Sequence, residues 1–176
     1  SRTGNDEEYE DLLGLWGDLE SGLSMLLSRP LHAQGFDGKI RQFDQWLQDL
    51  VAHDIDASLY LMFQLAATST VGYSTSHALV CGTLCHIMAR EFRLPGNERN
   101  ALVRAALTMN IGMTALQDEL AGQRELPTAP QKETIDTHPI KGQDILAQLH
   151  ITNDLWLDLV GQHHVQVSER TPLFEQ

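Results

Sequence analysis

The sequence has few basic residues. Its 176 residues contain 12 Lys and Arg against 24 Asp and Glu, so the formal net charge is −12. Duplex nucleic acid and anionic membranes bind basic protein faces, so we expect neither as a partner. A small anionic ligand needs only a local group of Arg and Lys, and is compatible with this composition.

Long apolar runs and a cysteine framework are also lacking. Hydrophobic residues make up 42% of the chain, which suits one folded domain, but no run approaches the roughly 18 residues of a membrane span. The polar, acidic residues 1–11 do not match a signal peptide. The two cysteines, Cys81 and Cys85, lie one helical turn apart, where a disulfide would constrain little. We therefore expect a cytoplasmic protein with reduced thiols.

Hydrophobic periodicity predicts an all-α fold of about seven to nine helices. No alternating strand pattern longer than a few residues occurs, and no glycine-rich phosphate loop. Apolar spacing predicts helices over residues 6–28, 39–53, 57–68, 74–93, 97–110, 114–121, 133–137, 140–149 and 153–165, with a loop over 166–176. We expect two segments, an N-terminal helical segment (1–68) packed on the core and a second domain (69–176).

Capping residues and proline predict where these helices begin and break. Asp54, Asn97, either Ser74 or Thr75, and either Thr152 or Asn153 are the expected N-caps. His138-Pro139 is expected to interrupt a helix, because proline removes a backbone donor.

Three helices carry burial predictions. The helix over 39–53 is amphipathic, and its predicted apolar stripe is Ile40, Phe43, Trp46, Leu47, Leu50 and Val51. The helix over 57–68 is apolar nearly all round and is expected to be buried. In the next helix the core stripe is predicted to contain His77, Val80/Cys81, Leu84, Ile87/Met88 and Glu91/Phe92.

Four short motifs occur in a fixed order between about residues 70 and 165. They are Tyr73-Ser74-Thr75-Ser76-His77-Ala78, Ala105-Ala106-Leu107-Thr108-Met109-Asn110-Ile111-Gly112-Met113, Thr137-His138-Pro139-Ile140-Lys141-Gly142 with Ile145-Leu146, and Gln162-His163-His164-Val165. Together they resemble the HD-GYP branch of the HD superfamily, the metal-dependent cyclic di-GMP phosphodiesterases. The resemblance implies an HD-domain-like multi-helix bundle and a role in bacterial signalling.

The chain departs from that family at the positions that carry its chemistry. Met109-Asn110 stands where the family has its signature His-Asp, Met113 where it has Lys, and Val165 where it has Glu. Of the Gly-Tyr-Pro signature only a proline remains, within residues 169–172, and the family's downstream Asp is absent. The resemblance therefore implies a domain truncated at its C-terminus.

These substitutions predict a degenerate active site with no catalytic residue. Hydrolysis at a multinuclear site needs a carboxylate that bridges two cations, and the Asn110 amide is neutral. The Met109 thioether is a poor ligand for iron or manganese. We expect Met109 and Met113 to pack into a filled interior, with no cofactor bound.

Four histidines remain for an alternative site. If the family geometry holds, His77, His138, His163 and His164 converge and can hold a single divalent metal, Zn, Fe or Mn. In isolation, each is more typical of a packed core histidine.

Two weaker patterns favour structural interpretations. Cys81 and Cys85 with His77 are typical of a core helix face rather than a thiolate site. Four basic residues, Arg99, Arg104, Arg124 and Lys141, are candidates for an anion pocket, although a solvated surface is the default.

The sequence thus predicts a catalytically inactive HD-GYP-like regulatory domain, a pseudoenzyme, that binds a protein partner or binds cyclic di-GMP without cleaving it. The alternative is a metal-dependent phosphohydrolase with a reduced ligand set. A third interpretation is a purely structural module whose histidines lie in a packed core.

Overall fold

The computed structural model describes residues 2–166, and this part of the chain is all helical, as predicted. It contains eight α helices, two short 3₁₀ helices and no strand. The helices α1 to α8 span Arg2–Ser28, Phe36–His53, Ile55–Thr68, Tyr73–Glu91, Gly96–Thr108, Thr114–Gly122, Ala129–Gln148 and Asp154–Gln162, and the 3₁₀ helices span Pro30–His32 and Ile111–Met113. None of these helices combines the length and apolar character needed to cross a membrane. The Gly-Tyr-Pro position, and all of the predicted C-terminal loop beyond Gln166, lie outside the described residues.

Two of the predicted N-caps are confirmed. Asp54 accepts a hydrogen bond from the Ala57 amide and Asn153 accepts one from the Trp156 amide, each at 2.9 Å. These side chains satisfy amides that the first turn of a helix leaves without a partner.

The other predicted N-caps are wrong. Helix α5 begins one residue before Asn97, and α4 begins one residue before Ser74, in both cases without a side-chain cap. Instead, the Ser74 hydroxyl donates to the Thr114 carbonyl at 3.1 Å. Ser74 therefore connects α4 to α6.

Helix α7 continues through Pro139, so the predicted interruption at His138-Pro139 is wrong. A proline inside a helix lacks the amide that would bond the carbonyl four residues earlier. In α7 that carbonyl belongs to Ile135. The helix tolerates the missing bond because the Nδ1 of His138 donates to this carbonyl instead.

Helix α4 buries the face opposite to the one that its larger apolar residues predict. Leu84, Met88 and Phe92 are 37%, 53% and 72% exposed, so the predicted core stripe is wrong at these positions. Apart from Leu79, the buried positions are small or polar. At Gly82 the two helices pack so closely that an added Cβ would lie 2.8 Å from the Leu107 side chain on α5. The small face is buried because it permits this approach.

Helix α3 is predicted to be buried, but the structure buries only one of its sides. Ser58, Leu61 and Met62 are its buried residues, whereas Tyr60 and Phe63 are more than half exposed.

The hydrophobic core is built from both halves of the chain. One cluster brings Leu23 and Phe36 together with Leu107, Leu146 and Trp156. A second cluster packs α1, α2 and α3 residues against Leu79 of α4. Residues before 68 therefore contribute directly to the core beneath α4, α5 and α8.

Candidate functional site

Three of the four candidate histidines lie together. His138 is in the middle of α7 and is 1% exposed, while His163 and His164 directly follow α8. One possible ligand atom from each ring lies within 4.8 Å of the others. We call these residues the histidine cluster.

Backbone carbonyls that the helices leave free orient two of the rings. The Nδ1 of His138 donates to the Ile135 carbonyl at 2.5 Å, which is the carbonyl that Pro139 leaves without an amide partner. The Nδ1 of His163 donates to the Val160 carbonyl at 2.6 Å, in the last turn of α8, where carbonyls lack helical partners. Since a carbonyl oxygen only accepts, both rings carry their proton on Nδ1.

The remaining nitrogens of these rings face each other. His138 Nε2 lies 3.0 Å from His163 Nε2, and in the neutral rings both atoms are unprotonated acceptors. Two lone pairs at this distance repel unless a cation lies between them, either a proton on one ring or a metal ion.

Burial disfavours an additional proton on either ring. It lowers the pKa of His138 and of His163, and the charge of nearby His164 lowers both further, although the carbonyl hydrogen bonds act in the opposite direction. Neutral imidazole is also the form that binds metal. Two nitrogen ligands of a tetrahedral zinc ion, each at 2.0–2.1 Å, are about 3.3 Å apart, which is close to the 3.0 Å between the two Nε2 atoms.

Within residues 2–166, the cluster lacks the carboxylate ligand that a pair of metal ions requires. The group formed by the described residues contains no Asp or Glu, and neutral imidazoles cannot offset the repulsion between two divalent cations.

The Met109-Asn110 pair lies at a tightly packed junction beside the cluster. Helix α5 ends at Thr108, and the following 3₁₀ turn packs against α7 at Gly112, where an added Cβ would lie 2.8 Å from the His138 carbonyl oxygen. The cavity lined by Met109 and Asn110 has a volume of about 10 Å³, which is about the space of one water molecule. Met113 is partly buried at the start of α6.

His77 lies apart from the histidine cluster. Its ring contacts the Cys81 sulfur at 3.8 Å and lies 5.7 Å from the Tyr73 ring. Cys81 and Cys85 are unbridged and half-buried, and burial raises the pKa of both thiols. This arrangement favours protonated thiols rather than the thiolates of a metal site.

A buried ion network joins three helices at a distance from the predicted site. The Asp44 carboxylate on α2 is fully buried and accepts from Arg99 at 2.8 and 2.9 Å and from Arg104 at 3.1 Å, both on α5. The Nε of Arg99 also donates to Nδ1 of His86 on α4 at 3.0 Å. We call these four residues the Asp44 network. It corrects the default interpretation of Arg99 and Arg104 as solvated surface.

The sequence contained a signal for this network. Asp44 follows Ile40 by four residues and precedes Leu47 by three, so it lies on the same face of α2 as the predicted apolar stripe. A carboxylate at such a position needs a buried cation as partner, and this reasoning would have directed attention to nearby Arg residues.

An apolar groove adjoins the histidine cluster. It lies between α5 and α8, with Cys85 of α4 at one side, and has a volume of about 560 Å³. Its lining residues are Cys85, Leu102, Ala105, Ala106, Met109, Leu155, Asp158, Leu159, Gln162, His163 and Val165.

Comparisons with family models, with curated proteins and with solved structures find no match for this chain. The resemblance to the HD-GYP family therefore stays a prediction.

Proposed function

We propose that this chain is a regulatory domain of the HD-GYP type that binds a protein partner and does not hydrolyse phosphodiesters. The main support is the junction at Met109-Asn110. There a thioether and a neutral amide lie side by side, and neither can bridge two divalent cations.

The requirements of phosphodiester cleavage also support the absence of hydrolysis. A two-metal site holds its ions a few Å apart through a shared carboxylate and uses one of them to produce hydroxide. Among residues 2–166, the histidine cluster includes no carboxylate to bridge two ions or to accept the proton of an attacking water.

Two of the four candidate basic residues already bind a carboxylate within the fold, which favours a protein partner over cyclic di-GMP. Arg99 and Arg104 bind the Asp44 carboxylate, so only Arg124 and Lys141 remain of the four candidates for an anion pocket. Two exposed cations are a weak basis for binding a doubly charged dinucleotide.

We expect no turnover of cyclic di-GMP above the metal blank when the protein is incubated with Mn²⁺ or Fe²⁺. The product would be measured by chromatography, and calorimetry with the same dinucleotide would test binding without cleavage. Turnover that is lost in both His138→Ala and His164→Ala would overturn the proposal.

The second candidate is a single divalent metal in the histidine cluster, and the facing Nε2 atoms favour it. His138, His163 and His164 would hold zinc, iron or manganese. A bound ion would supply Lewis acidity, so a phosphohydrolase with a reduced ligand set is the enzymatic version of this candidate. The chain contributes the two carbonyl hydrogen bonds that orient the His138 and His163 rings before binding.

Zinc binding predicts a specific gain in stability. With free zinc at about one hundred times its dissociation constant, the free energy of unfolding should rise by about 2.7 kcal/mol. Denaturant titration with and without zinc would measure this gain. It should disappear in His163→Ala and persist in His32→Ala, a control that removes an exposed histidine outside the cluster. An equal gain in both variants would show that zinc binds elsewhere.

A further inference from the structure

The groove between α5 and α8 has the size and lining of a binding site. Its volume of about 560 Å³ falls in the range of specific ligand sites. Seven of its lining residues are Leu, Ala, Met or Val. Leu155 is 41% exposed and Val165 is 67% exposed, so part of this apolar surface faces solvent.

The apolar surface continues beyond the groove along α4. Met88 and Phe92 follow Cys85 at three and seven residues, which places them on the same face of the helix. They are 53% and 72% exposed. A contiguous exposed apolar surface of this kind is typical of a protein interaction site.

The walls of the groove favour a helical partner. The walls are formed mainly by the α helices α5 and α8, and a third helix packs on such surfaces at the usual interaxial distance of 8–10 Å. Strand addition requires an exposed sheet edge, and residues 2–166 contain no strand.

The charge of the site favours a basic partner. Asp158 is the charged residue among those that line the groove, and it is exposed. The chain as a whole carries a formal net charge of −12, which attracts cationic segments and opposes a second copy of the same chain.

We infer that the groove between α5 and α8 binds an amphipathic helix of a partner protein, with the apolar stripe of that helix packed on Leu155, Leu159 and Met109 and a flanking Lys or Arg paired with Asp158. This inference rests on the proposed function, since it names the class of partner that the regulatory domain binds.

The test uses a probe helix of defined composition. A fluorescent Leu/Lys amphipathic peptide of about 18 residues, about 27 Å long as a helix, is titrated with the full chain and its anisotropy is recorded. The matched control peptide has Glu at every Lys position. We expect saturable binding of the Lys peptide and none of the Glu peptide.

Two variants locate the binding. Leu155→Gln and Asp158→Lys each alter a partly or fully exposed side chain, so the fold should be retained, which circular dichroism would check. Each should weaken binding of the Lys peptide about tenfold. Leu126→Gln removes a leucine that is 86% exposed and lies outside the groove, and should leave the affinity unchanged.

Three results of the peptide titrations would overturn the inference: no binding of the Lys peptide, equal binding of both peptides, or equal affinity in Leu155→Gln and in the wild type. Sedimentation that shows a dimer dispersed by Leu155→Gln would assign the groove to a second copy and would also overturn it. If the peptide does not bind, the proposal that the protein does not hydrolyse phosphodiesters still stands. If the protein turns over cyclic di-GMP, that proposal is wrong whether or not the peptide binds.

Discussion

Replacing Asp44 with alanine should lower the free energy of unfolding by about 3–5 kcal/mol. The substitution leaves two guanidinium groups with no counter-charge, and Arg99 is only 8% exposed. Removing one member of a buried ion pair is costly because the remaining charge stays desolvated. Urea denaturation followed by circular dichroism would measure the change.

The matched control is Asp37→Ala, which lies on the same helix. Asp37 also binds an arginine, Arg41, at 3.1 Å, but this pair is solvent-exposed. Such a pair contributes about 0.5 kcal/mol or less. Similar losses in the two variants would contradict the assignment of Asp44 as the centre of a buried network.

Acidification should destabilise the protein through His86. Burial, together with the charges of Arg99 and Arg90, lowers the pKa of His86 to about 4, although Asp44 acts in the opposite direction. Between pH 6.5 and about 4 the unfolded chain binds a proton at this ring and the folded chain does not. Stability is therefore full above about pH 6.5 and falls as the pH decreases towards about 4, by up to about 3 kcal/mol from this residue.

His86→Gln isolates this effect, because the Gln amide oxygen can still accept from Arg99 but does not titrate. The free energy of unfolding would be measured across this pH range in both proteins. The pKa values of His77, His138 and His163 are also lowered, and these rings remain in both, so the difference between the two curves reports His86. If the free energy of unfolding depends on pH in the same way in both proteins, this prediction is wrong.

Periodicity predicted the helices well and their buried faces less well. The apolar spacing of α2 places Ile40, Leu47 and Val51 in the core, where they lie. In α4 the same reasoning chose Leu84 and Met88, which are exposed. A helix face of small residues shows little hydrophobic periodicity. It is nevertheless buried when it allows a neighbouring helix to pack closely. The sequence spacing within one helix does not show which helix that neighbour is.

The candidate site was partly accessible to sequence reasoning. The order of the motifs brought out His138, His163 and His164, which lie together, and also His77, which does not. The Asp44 network was missed because its partners are far apart in sequence: Asp44 and Arg99 are separated by 55 residues. Only the folded chain shows that the carboxylate in the α2 stripe is matched by arginines on α5.

The Asp44 network also determines how the chain can be divided. The carboxylate comes from the segment before residue 68, and its two arginines come from the segment after it. A fragment that begins at residue 69 would keep both buried cations and lose the carboxylate that they share, together with the leucines of α1 that line the same core. We therefore expect the segments before and after residue 68 to unfold in one cooperative transition.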